Sequence, residues 1–100
     1  MKNIIAIINQ VFEIEKKTAA AGTVNIGRQL ERIRSEIEAL GYAWHNPLHE
    51  KWDETRTDCE ASITGTLKAR MLITDVIKPI VHQTGTGGKT VVQKAVVIVS

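Results

Sequence analysis

The stretch GTVNIGRQLERIRSEIEALGY, Gly22 to Tyr42, decides how the chain is organised. Its apolar residues Ile26, Leu30, Ile33, Ile37 and Leu40 follow at steps of four, three, four and three, which on a helix aligns them in one narrow stripe. The other side carries Arg28, Glu31, Arg32, Arg34, Glu36 and Glu38, a mixed-sign surface that stays in water and gains from pairs three or four apart. Thr23 or Asn25 is placed to cap the first amides, and Gly41 to take the left-handed conformation that ends a helix. A lone helix of this length is marginal in water, so the stripe predicts a packing partner.

Upstream, from Asn3 to about Lys17, Ile4, Ile5, Ile7, Ile8, Val11, Phe12 and Ile14 are apolar over more than one stripe. That predicts a helix with neighbours on two sides. Isoleucine also favours strands, but the length of the run and its interruption by Asn9 and Gln10 favour helix. Lys16 and Lys17 lie at the end where positive charge suits the helix dipole. TAAAG, Thr18 to Gly22, either frays that end or makes the turn. Two helices joined by a short link form an antiparallel hairpin. Two such hairpins closing into a four-helix bundle make a homodimer, with Ile8, Val11, Ile26, Leu30, Ile33 and Ile37 at the interface.

Downstream of Gly41 the composition changes, which divides the chain into a helical hairpin, residues 1–41, and a β domain, residues 42–100. YAWHNPLHEKWDETRTD reads as an irregular connection, because Pro47 blocks a helix and favours extended geometry at Asn46. Trp44 and Trp52 are its candidate anchors to the core. CEASITGT, MLITDVIKPIV and VVQKAVVIVS, rich in β-branched residues, predict strands. Pro79 must lie at an edge, at a strand end or in a bulge. Thr84 to Gly88, TGTGG, is the reversal before the final strand. That strand is apolar on both faces, Val91, Ala95, Val97 and Val99 on one and Val92, Val96 and Ile98 on the other, and is expected to be central or covered. The fold class is therefore α+β, with a mainly antiparallel β part.

The 100 residues suffice for about one small domain. Thirteen Lys and Arg against eleven Asp and Glu give a formal net charge of +2, which carries no bias toward nucleic acid. One cysteine, Cys59, excludes an internal disulfide framework and fits a reducing compartment. The apolar start is broken by Asn9 and Gln10 and followed by no small-residue cleavage site, so a cytoplasmic protein is expected. No window has the roughly eighteen apolar residues of a membrane span.

QTGTGGKT, Gln83 to Thr90, ends in the Gly-Lys-Thr of a phosphate-binding loop. Gln83 stands at its first glycine, however, and a strand follows where that loop needs a helix. A hairpin turn is the plainer reading. His45, His49 and Cys59 with Asp53 or Asp58 are metal-ligand types, but Pro47 keeps the histidines off one helical face and there is a single sulfur. Cys59 beside a histidine is a conceivable nucleophile pair, and Glu50, Asp53, Glu54 and Asp58 a conceivable acid–base group. A small core thiol and a solvated loop explain them more simply. The expectation is a protein without a metal, a cofactor or an enzymatic activity.

Taken in order, these pieces resemble the GrpE family, the nucleotide-exchange partners of DnaK-type chaperones. IIAIINQVFEI, Ile4 to Ile14, is similar to the family's Leu-Leu-Pro-Val-Leu-Asp-Asn-Leu-Glu-Arg-Ala segment, with Asn9 and Gln10 at the Asp-Asn positions. GTVNIGRQLERI, Gly22 to Ile33, resembles Gly-Val-Glu-Met-Ile-Leu-Lys-Gln-Leu, and EALGYAWHNP the Leu-Gly-Val-x-Pro-Ile turn into the β part. Trp52-Asp53 sits where the family has Phe-Asp, and Glu60-Ala61 at the Glu-Ala of His-Glu-Ala-Val. KTVVQKAVVIVS, Lys89 to Ser100, resembles the closing Asp-Arg-Val-Leu-Arg-Pro-Ala-Leu-Val-x-Val-Ser.

The resemblance implies a dimer through a four-helix bundle and a β domain that contacts the chaperone's ATPase domain and opens its nucleotide cleft, as part of protein folding and the stress response. Trp52, Lys89, Gln93 and Lys94 match motif positions and are its candidate partner-binding residues. The chain departs from the pattern in four ways: Cys59 stands for a histidine, Gln93-Lys94 for Arg-Pro, two residues are added between Trp52 and Glu60, and the family's long N-terminal helix pair is missing. Besides exchange, two other functions are conceivable: a dimeric adaptor that keeps the fold for another partner, and a nucleotide hydrolase read from Gly-Lys-Thr.

Overall fold

The computed structural model describes residues 2–21, 26–65 and 70–100. Two helices, α1 (Lys2–Ala21) and α2 (Gly27–Ala39), precede seven strands: β1 (Tyr42–His45), β2 (Lys51–Trp52), β3 (Cys59–Ile63), β4 (Met71–Lys78), β5 (Ile80–Gly85), β6 (Gly88–Gln93) and β7 (Ala95–Val99). The class is α+β, a helical hairpin followed by mainly antiparallel sheet. Thr23 and Asn25, the expected caps, lie outside the described residues. Ile26 holds the N-cap position of α2 without a side-chain cap bond. The other end is as the sequence predicts. Gly41, at φ 91°, leaves the helix in the left-handed region and donates its N–H to the Glu38 carbonyl at 2.9 Å.

The strands form two small sheets. One has the order β1-β5-β6 and the other β2-β4-β7-β3. All pairs are antiparallel except β3 with β7, which run parallel from Cys59 opposite Ala95 to Ile63 opposite Val99. The region expected to be irregular after Gly41 contains β1, which pairs with β5, and the two-residue β2, which pairs with the start of β4. Pro79 ends β4, as its missing N–H demands, and the chain re-enters the other sheet at Ile80. Thr84–Gly88 does reverse the chain, with Gly88 at φ 106°. The run VVQKAVVIVS is not one strand, however. It breaks at Lys94, so that Val91 and Gln93 pair within the first sheet while Ala95–Val99 becomes an inner strand of the second.

One apolar cluster joins helices and sheets. It contains Ile8, Val11 and Phe12 of α1, Ile37 of α2, Trp44 of β1, and Ile73, Val76, Ile80, Val81, Ala95, Val97 and Val99 of the strands. Of the two apolar sides expected to have neighbours, α1 buries one, with Ile8, Val11 and Phe12 in the core, while Ile7 and Ile14 on the other stay 51 % and 42 % exposed. Ile8, Val11 and Ile37, read from the sequence as subunit-interface residues, are already enclosed within a single chain. Their spacing showed that a face is buried, and the face is buried against β sheet. On α2, Leu30 and Ile26 are half-buried, while Ile33 and Leu40 stay 39 % and 67 % exposed.

Ile8 has no exposed surface. Ile8→Ala should therefore lower unfolding free energy by about 2–5 kcal/mol, the usual cost of emptying a well-packed site, as read by urea denaturation.

Candidate functional site

The polar contacts of the molecule concentrate where the helices meet the sheets. Glu15 of α1 accepts from the Trp44 indole Nε1–H at 3.0 Å and from Arg34 Nη2 at 3.3 Å. Arg34 also donates to the Trp44 carbonyl at 3.2 Å, and its guanidinium lies 4.0 Å from the ring centre. Beside this knot an open cleft of about 430 Å³ is lined by Phe12, Lys16, Asn46 and Leu48 among others. Its charged groups are committed to one another: Lys16 donates to the Val76 carbonyl at 2.7 Å and pairs with Asp75 at 3.6 Å. The arrangement holds elements together and offers no activated group.

A second network fixes the loops around β2. Arg56 donates to Asp58 at 2.6 Å, to Glu50 at 2.8 Å and to the Lys51 carbonyl at 2.9 Å. His45 bonds the other Glu50 oxygen. Burial pushes the Glu50 carboxyl up, but the bonds from Arg56 and His45 outweigh it and hold the group below its ordinary value. The bond from Arg56 likewise holds Asp58 down. Two of the four carboxylates weighed as an acid–base group, Glu50 and Asp58, are thus tied to a guanidinium. Cys59, 8 % exposed, has its thiol pushed up to about 11, first by burial and also by its bond to Asp58, which leaves too little thiolate for a nucleophile. Among the described residues no three of His, Cys, Asp and Glu gather as metal ligands. Lys89 and Thr90 lie in β6, so the Gly-Lys-Thr belongs to a hairpin.

The four residues expected to bind a partner do not form one surface. Trp52 pairs with Met71 at the end of the four-stranded sheet where Ser100 lies, while Lys94 precedes Ala95 at the opposite end of β7. Five residues of strand separate those ends by about 17 Å. Lys89 is exposed near the tip of the β5–β6 hairpin. Gln93 is engaged inside the molecule: it exchanges two amide hydrogen bonds with Asn9 of α1, at 3.1 and 2.9 Å, and donates to the Pro79 carbonyl at 3.1 Å. No local pattern in the sequence links residues that stand 84 positions apart.

Trp52 is the exception that retains an unused group. Its ring packs against the core, yet its Nε1–H is buried without a hydrogen-bond partner among the described residues, a situation that costs about 1–3 kcal/mol and is uncommon in folded proteins. It lines a cleft of about 670 Å³ with Lys51, Asp53, Arg70, Met71, Leu72 and Ser100. Comparison with family models, with curated proteins and with solved structures finds no match to this chain. The likeness to GrpE therefore rests on the residues quoted above.

Two measurements check this assignment of roles. Gln93→Ala leaves the Asn9 amide unpaired and should cost about 1–3 kcal/mol in denaturant unfolding, whereas exposed Lys94→Ala should stay within about 0.5 kcal/mol. Glu50 and Asp58, held low in the fold, return to 4.5 and 3.8 on unfolding. Their stabilisation is complete above those values and is lost as pH falls through and below them. Arg56→Ala should flatten that acid limb of a stability–pH curve.

Proposed function

We propose that the protein is a GrpE-like co-chaperone that binds the ATPase domain of a DnaK-type chaperone and promotes nucleotide exchange. The observation that carries this reading is architectural: the residues of the resemblance fall, in order, on a helical hairpin and then on a small β domain, the arrangement the resemblance implies. Exchange requires no catalytic group, since a factor that binds the open ATPase domain better than the closed one shifts the population toward release. A hundredfold preference corresponds to about 2.7 kcal/mol of differential contact. That suits a molecule whose polar groups are spent on holding surfaces in place.

The homodimer belongs to the same proposal. Once the core is formed, apolar side chains at a seven-residue separation stay exposed, Ile7 and Ile14 on α1, and Ile33 of α2 with Leu40 at its C-cap. A seven-residue apolar repeat is the pattern by which helices of separate chains pack. The other reading, an adaptor that keeps the fold for a different partner, is favoured by Gln93. This departure from the family's Arg-Pro is turned inward to Asn9 and Pro79.

The deciding measurement is release of a fluorescent nucleotide from a DnaK-type chaperone of the same cell, with and without the protein. Accelerated release is expected, and no acceleration leaves the adaptor. In sedimentation at micromolar concentration the wild type should be dimeric. Ile33→Asp, placed on an already exposed position, should give a folded monomer.

A further inference from the structure

β6 is the last strand in the order β1-β5-β6, and among the described residues no strand pairs with its outer side. Gly85 and Gly88 pair across a two-residue loop, so they bond each other, and the phase of the whole strand follows. Gly88 and Thr90 turn their main chain to β5, while Lys89 and Val91 turn theirs away. The Thr84 N–H gives the same phase from the other side, because it donates to the Gly41 carbonyl at 2.8 Å, toward β1, and Thr84 lies opposite Lys89. Two N–H groups and two carbonyls thus face outward, on residues 88–91 that are all exposed. α1 reaches over this edge. Trp44, Val81 and Gln93 form one row across the sheet, and Glu15 bonds the first while Asn9 bonds the last. The helix rises about 9 Å between Asn9 and Glu15, close to the two strand spacings of about 9.6 Å that it crosses. Toward its N-terminus α1 therefore passes from β1 to β6, and residues 2–8 run on for about 10 Å beyond. Ile4 and Ile5, one turn before the enclosed Ile8 and on its face, are only half-buried there.

We propose that the β6 edge takes up an extended segment of the protein partner as a further, antiparallel strand, with an acidic residue opposite Lys89 and an apolar residue beneath Ile4 and Ile5. The proposal rests on the exchange-factor reading in taking the partner to be a protein. N–H and carbonyl groups repeated at alternate residues, about 6.8 Å apart, match another extended main chain and no compact ligand. Antiparallel pairing is the more stable kind, and in it the residues opposite Lys89 and Val91 each exchange two bonds with them. Lys89 makes no ion pair among the described residues, and a lysine on an open edge disfavours neutral and basic strands. A second copy of the chain answers this poorly. The register that bonds all four outward groups sets Lys89 opposite the copy's Val91, which leaves both ammonium groups unpaired. An acidic strand satisfies the main chain and the charge together, and its alternate side chains meet the overhanging face of α1.

Amide hydrogen exchange in the isotope-labelled chain tests this, because neighbouring residues of β6 should respond in alternation. Saturation with acetyl-Leu-Val-Thr-Glu-Thr-amide should slow exchange at Lys89 and Val91 at least about tenfold and leave Gly88 and Thr90, already bonded to β5, within about twofold. Methylating the peptide nitrogen of Glu, which donates to the Lys89 carbonyl, should weaken binding at least about tenfold. The same methyl on the central Thr, whose N–H faces away from β6, should change it less than about twofold. Gln in place of Glu should weaken binding about two- to fivefold, a difference that exposed Lys89→Ala removes. Ser in place of Leu, which withdraws the contact with Ile4 and Ile5, should weaken it about fivefold. Val91→Pro deletes an outward N–H and no bond to β5, so peptide affinity should fall at least about tenfold in a protein that keeps its melting temperature. Slowing that does not alternate along β6, equal binding of the two methylated peptides, or no slowing at all overturns the proposal. So does protection of Lys89 and Val91 that rises with protein concentration in the absence of peptide, which gives the edge to a second copy. If the peptide does not seat while nucleotide release is accelerated equally by wild type and Val91→Pro, the exchange reading stands and this edge falls. A peptide that seats as described, without acceleration, retains the edge and removes the exchange reading.

Discussion

Trp44 is the point where three parts of the chain are fastened. Its indole N–H needs a partner once the ring is 5 % exposed, and Glu15 of α1 supplies it. Arg34 of α2 then bridges Glu15, the Trp44 carbonyl and the face of the ring. Because Trp44 is paired with Val81 in the ladder, this single residue sets both helices against the three-stranded sheet. Apolar burial supplies most of the adhesion but has no direction. Polar contacts choose the position. Along α1, Asn9 reaches β6, Glu15 reaches β1 and Lys16 reaches β4. The first and last of these lie seven residues apart, about 10.5 Å of helix. Contacts to three different strands at that separation leave α1 little freedom to slide or roll.

The two sheets are joined by a comparable economy. The chain crosses from the second sheet to the first at Pro79 and returns at Lys94. The crossings are neighbours, since Gln93 pairs with Val81 in one sheet and Val96 with Lys78 in the other. Gln93 donates to the Pro79 carbonyl and thereby stitches one crossing to the other, while its second set of bonds holds α1 over both. A position that the motif comparison marks for a partner is thus committed to the molecule's own assembly.

What was legible in the sequence follows from how local each signal is. Helical spacing, the glycine after Leu40, the interruption at Pro79 and the glycine-bearing reversal each act within a few residues, and each appears in the fold. Sheet membership is not local. Val91 and Ala95 have the same parity and similar propensity, so nothing near Lys94 announces that the strand on one side belongs to a different sheet from the strand on the other. β1 is four residues long and rests on its pairing with β5, which lies nearly forty positions later. Periodicity marked Ile8, Val11 and Ile37 as buried without saying that the covering surface would be the same chain's β strands. That the Trp52 indole has no partner among the described residues had no signal at all, because an absent partner is a property of the assembled surroundings.

The parallel pairing of β3 with β7 places Ala95–Val99 between β4 and β3 as their shared neighbour. During translation, β3 and β4 leave the ribosome with no ladder in common and must wait for that segment to clear the exit tunnel. Until then Ile73 and Val76 have no β7 to lie against, and the nascent chain presents apolar surface to whatever is nearby. A chain cut at Lys94 would hold both helices and the β5–β6 hairpin but lack the strand that closes its larger sheet. The larger sheet closes only when Ala95–Val99 arrives, and non-local pairing of this kind is slow to form.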